Sequence, residues 1–141
     1  MPPGALRDYG RGMSIHVPQP ADAVATPVHG IAGRSTPREN GPSAQTVLDV
    51  STAKVVAFEF GAGQELHEHS AAHPVLIRVV RGRVDVVLTD GTTGTPAGST
   101  VPLGPDDLLH LTPHLRHAVR ASEASTLTVT MLLGPTGTVT S

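Results

Sequence analysis

The stretch GAGQELHEHSAAHPVLIRVVRGRV, residues 61–84, decides how the chain folds. It opens on the turn formers Gly61-Ala62-Gly63 and enters a short run, LHEH (66–69). It breaks at Ser70-Ala71-Ala72 and resumes as the aliphatic run VLIRVVR (75–81) before Gly82. Runs of four to seven residues rich in β-branched side chains and bounded by Gly and Pro read as strands. The same texture extends outward over the chain from Ala44. Further candidate strands are 45–50, 54–60, 83–89, 99–103, 107–111, 117–121 and 126–133. Turn formers lie between several of them, at Asp90-Gly91, Gly94, Gly98 and Gly104-Pro105. Strands at intervals of about 8–12 residues, with no helical stretch after residue 43, indicate an all-β sandwich or barrel.

The 141-residue length suits a single domain with a core of its own. That core is aliphatic, because the only aromatics are Tyr9, Phe58 and Phe60. Three aromatics form no base-stacking platform, and a net charge of -2 without a basic run gives no footprint for nucleic acid. No apolar stretch approaches the ~20 residues that span a bilayer. The first twenty residues lack the apolar core of a secretory signal, so a cytoplasmic location is expected. With no cysteine there is neither a disulfide framework nor a thiolate site.

Residues 1–42 carry thirteen Pro and Gly positions and no sustained periodicity, and read as an irregular, partly disordered arm preceding one domain over 43–141. Residues 1–12 have no packing signal, which leaves Met13 as an alternative start. Within the arm, VATPVHGIAG (24–33) is a segment suited to packing on a partner subunit's sheet.

Histidine is in excess, with eight residues against a single lysine, and six of the eight fall between positions 67 and 117. In a regular strand, residues two apart share a face, so His67 and His69 point one way and Glu68 the other. Two imidazoles so presented can hold one divalent metal at about 2.0–2.1 Å each. His73 keeps that face only if residues 70–72 stay extended, and a loop there decouples it. His117 begins a later strand. His110 and His114 taken singly read as ordinary surface or sheet residues, and His16 and His29 lie in the arm.

Residues 61–84 resemble the first motif of the cupin superfamily, with Gly61, His67, His69 and Gly82 in the family's places. The segment PDDLLHLTPHLRHAV (105–119) is similar to the second motif through Asp107, Leu111, Pro113 and His117. Asp106, Thr112 and His114 stand where the family has Gly, Pro and Gly. The resemblance covers residues 44–134 and implies a jelly-roll barrel, a double-stranded β-helix. It also implies a metal site, whose usual glutamate falls on His73 counting from His69 and on Val75 counting from Gly82. The first alternative gives the ligand set His67, His69, His73 and His117. The second gives a three-histidine face with more open coordination.

Imidazole accepts several divalent transition metals, so Fe, Mn, Ni, Cu and Zn are not distinguished. An all-histidine set leaves the full metal charge uncancelled and favours anionic or chelating oxygen ligands. The face Val75, Ile77, Val79 and the pair Leu109, Leu111 line an aliphatic interior, with His110 the one further proton-transfer candidate. These features point to a metal-binding barrel for a small molecule, either an oxygenase or isomerase or a non-catalytic sensing or storage module. A third reading makes the histidines vestigial. Arg78, set between Leu76 and Val80 on the other face, reads as part of a homodimer interface, which the resemblance also implies.

Overall fold

The computed structural model describes residues 23–89 and 98–134, and the descriptions below concern these. Residues 1–22, which include Met13 and His16, residues 90–97 with the expected turns at Asp90-Gly91 and Gly94, and residues 135–141 lie outside them. The described residues form nine strands and no helix, so none is long and apolar enough to cross a membrane. The strands are β1 (Ser43–Val50), β2 (Ala53–Phe60), β3 (Glu65–His69), β4 (Val75–Arg81), β5 (Val84–Leu88), β6 (Thr100–Leu103), β7 (Leu108–Leu111), β8 (His117–Ala121) and β9 (Ser125–Leu132). Each coincides with an expected strand to within two residues at either end. Pro and Gly at the boundaries set the breaks, because they cannot extend a ladder without loss.

Two antiparallel sheets result. One has the order β1-β2-β9-β4-β7, the other β3-β8-β5-β6. Neighbours distant in sequence, such as β2 and β9, pair over a long register from Ala53 opposite Leu132 to Phe60 opposite Ser125. Side chains alternate across each strand. The buried positions of β4 are Val75, Ile77 and Val79, and those of β5 are Val84, Val86 and Leu88. Together with Phe60, Leu111, Val119 and Leu127 they fill the space between the sheets. Burying such a side chain stabilises by roughly 1.5–3 kcal/mol, and the core so built is aliphatic apart from Phe60 and the adjoining Phe58.

The chain changes sheet between β4 and β5 at Gly82, whose φ of +90° lies in the left-handed region that favours glycine. Left-handed backbone also occurs at two non-glycine residues, Asp106 (φ 77°) and His114 (φ 70°). These are two of the positions where the cupin motif has glycine. The turns keep the backbone shape that glycine would adopt freely, and this chain accepts the steric cost there. Asp107 closes the first of these turns, its carboxylate accepting from the Gly104 amide at 2.8 Å.

Residues 23–42 contain no strand and are tied to the first sheet near their end. The Gly33 amide donates to Glu59 at 2.6 Å, and Gln64 donates to the Arg38 carbonyl at 2.7 Å. Glu59 is 2% exposed although it sits on the outer face of β2. Thr126 and Arg81 also donate to its carboxylate, at 2.7 and 3.1 Å, so the buried charge is paired and hydrogen-bonded.

Candidate functional site

Between the two sheets, at one end of the barrel, lies a cavity of about 260 Å³. Strands of the first sheet supply Val56, Phe58, Val75, Val129 and Met131, and the loop after β3 supplies Ser70 and Ala71. The polar end is made by His69 on β3 and His117 on β8. These two strands pair directly, with His69 opposite His117 and the ring centroids 4.3 Å apart. A shallower depression of about 320 Å³ lies among Gly63, Asp85, Arg120, Ala121 and Ser122.

Both rings are fixed in the same way. His69 Nδ1 donates to the His67 carbonyl at 2.8 Å, and His117 Nδ1 donates to the Leu115 carbonyl at 2.9 Å. A carbonyl can only accept, so each Nδ1 carries the hydrogen and the neutral ring keeps its lone pair on Nε2. His117 is 4% exposed. Its burial pushes the imidazole pKa below the usual range; the Leu115 carbonyl opposes this, and nearby His69 adds to it. The ring is therefore neutral at neutral pH and able to donate a lone pair to a metal or a ligand proton.

The outside of the same strands clamps the pair in place. Glu68, between the two β3 histidines, accepts from Arg116 Nε at 2.5 Å and from Thr89 Oγ1 at 3.0 Å. The Arg116 hydrogen bond, followed by that of Thr89, holds the Glu68 carboxyl below its ordinary pKa. The His114 amide donates to the Ala71 carbonyl at 2.7 Å, tying the loop before β8 to the loop that forms the cavity mouth.

The structure joins two of the four expected ligands and separates the other two. His67 is exposed and does not line the cavity. The strict alternation expected of residues 66–69 is broken by a bulge. Leu66 stands opposite Val119 and His69 opposite His117, so three steps on β3 match two on β8. The bulge lets Leu66 pack against the core while His69 faces His117. Regular pairing could bring in either Leu66 with Glu68 or His67 with His69, never Leu66 with His69.

His73 is exposed in the loop after β3, and it is Val75, 3% exposed, that faces the cavity. His110 is exposed on β7 opposite Leu76, on the face turned away from the core. Among the described residues no group of three or more His, Cys, Asp or Glu is placed to hold a metal. The donor set thus fits two positions of a metal site, both with the nitrogen tautomer that ligation requires. The sequence reading did not single out Phe58, Val129 or Met131 as cavity residues. Their period-two spacing with Val56, Phe60 and Leu127 was the available signal.

No family model and no curated protein matches the chain by sequence. Solved structures do. An RmlC-like cupin from Desulfovibrio desulfuricans superposes with a TM-score of 0.65 at 24% identity, over 77% of this chain and 97% of that one. A conserved protein with a double-stranded β-helix domain from Klebsiella pneumoniae gives a TM-score of 0.65 at 19% identity, over 80% and 95%. KdgF from Halomonas sp. gives 0.58 at 22% identity, over 68% and 83%. Two jelly-roll sheets, the two motifs in order and these neighbours agree: the chain has the double-stranded β-helix fold of the cupins.

Proposed function

We propose that the barrel binds a small oxygenated or anionic molecule in its apolar cavity and holds one transition metal ion there on His69 and His117. The observation that carries this reading is the matched pair of rings, each locked through Nδ1 to a backbone carbonyl and each lining the same cavity. The ion, when bound, would polarise a ligand oxygen. The aliphatic walls would exclude water and seat the body of the molecule. His67 and His73 belong to this reading as further ligands only if the β3 bulge and the loop after it rearrange.

The lining has no carboxylate, lysine or tyrosine to serve as acid or base, so the two imidazoles are its proton-transfer groups. Oxygenase or isomerase chemistry would therefore depend on the metal. A second reading, a metal-free ligand-binding module, is favoured by the lack of a third ligand among the described residues. Elemental analysis of untagged protein, dialysed after exposure to Zn(II), Ni(II) and copper, separates the two. The metal reading expects about one equivalent, lost in His69→Ala and His117→Ala. No retained metal, or retention unchanged in both variants, overturns it.

We also infer that two copies associate through the outer face of the β1-β2-β9-β4-β7 sheet. Leu76, Arg78 and Leu108 lie there, the last 62% exposed, and the 23–32 segment, which forms no strand, carries the exposed Val24. Light scattering that returns 14.5 kDa overturns the dimer.

A further inference from the structure

We propose that the cavity is a soft-metal site selecting Cu(I), with Met131 Sδ as the third donor beside His69 and His117. The proposal rests on the metal reading above and adds the sulfur and the oxidation state. Met131 is the one methionine among the described residues, and it lines the same cavity as the two histidines. Its place on β9 is set by register, opposite Val75 on β4, whose side chain also faces the cavity.

Two properties of the cavity point to Cu(I) rather than Zn(II). The first is ligand number. Zinc takes four ligands in structural sites and at least three protein ligands in catalytic ones. Two imidazoles and a thioether fall short for Zn(II) once the thioether is discounted as a poor ligand for it. Cu(I), a filled-shell ion, is satisfied by two or three donors. The second is softness, since thioether sulfur is a donor suited to Cu(I). With both Nδ1 atoms occupied, the donors left to the ion are two imidazole Nε2 atoms and one sulfur, all uncharged.

The experiment is an anaerobic titration of the full chain with Cu(I) against a chromogenic Cu(I) chelator, run beside a Zn(II) titration. One equivalent of Cu(I), held at least tenfold more tightly by the wild type than by Met131→Leu, is the expected result. Zn(II) binding should be the same in both proteins. X-ray absorption at the copper edge should show a sulfur scatterer in the wild type that Met131→Leu lacks. Matching melting temperatures for the two proteins establish that the variant is folded, and Met131→Ile serves if leucine unfolds it. Cu(I) affinity unchanged in the variants, with binding still lost in His117→Ala, overturns the sulfur assignment and leaves the His69–His117 site standing. Binding unaffected by His117→Ala, or no metal bound at all, overturns both.

Discussion

Gly82→Ala is expected to be among the most damaging single-methyl additions in the described structure, and its cost divides into two parts. A Cβ at this position would lie 2.1 Å from Ser125 Oγ and 2.5 Å from the Ala124 carbonyl oxygen. Neither neighbour can yield cheaply. Ser125 is fully buried, and its hydroxyl accepts from the Arg83 amide at 3.0 Å while facing the Glu123 carbonyl at 2.7 Å. The Ala124 oxygen is backbone. The left-handed φ of +90° costs an alanine roughly 1–2 kcal/mol, and forcing a methyl into packed surroundings adds about 1–3 kcal/mol. Gly63 separates these parts, since its φ is +81° but nothing lies within 4 Å of the added Cβ. Gly63→Ala should therefore lose only the conformational part, about 1–2 kcal/mol. At about 4–8 °C per kcal/mol for a domain near 100 residues, thermal unfolding should fall by roughly 5–15 °C in Gly63→Ala. It should fall by roughly 4–24 °C more in Gly82→Ala. Equal losses in the two variants would refute the clash and with it the account of how the chain changes sheet.

His114→Gly should raise stability by about 0.5–1 kcal/mol in urea unfolding, because relief of the left-handed strain outweighs the added freedom of the unfolded chain. A loss of stability would mean that the ring makes contacts which offset the strain. Thr126→Val removes one donor from the buried Glu59 carboxylate and should cost about 1–3 kcal/mol, read by the same unfolding curves. An unchanged midpoint would show that Arg81 and Gly33 alone satisfy the group. Because burial depresses the His117 pKa, the unfolded chain binds more protons than the folded one below about pH 6.5. Stability should be flat above that pH and decline as the pH falls towards the folded-state value. The decline should be smaller in His117→Gln, and an identical pH profile in wild type and variant would count against it.

The sequence by itself determined the nine strands, their breaks and the double-stranded β-helix fold, because these depend on local chemistry. Val75, Ile77 and Val79 alternate with Leu76, Arg78 and Val80 whatever lies across from them, and Gly82 permits a backbone that other residues resist. His117 was legible for the same reason, as the first residue of a strand following a Pro113 turn. What alternation could not decide was the short edge strand β3. There Leu66 and His67 compete for the interior, and sequence parity favoured the histidines. The tertiary structure decided for Leu66, because Val119 and the core are packed against that side chain. The bulge then returned His69 alone to the face of His117. Which histidines meet is thus settled by register between strands distant in the chain, and so are the roles of Met131 and Glu59. Register is a cooperative property of packed sheets, and no local pattern carries it.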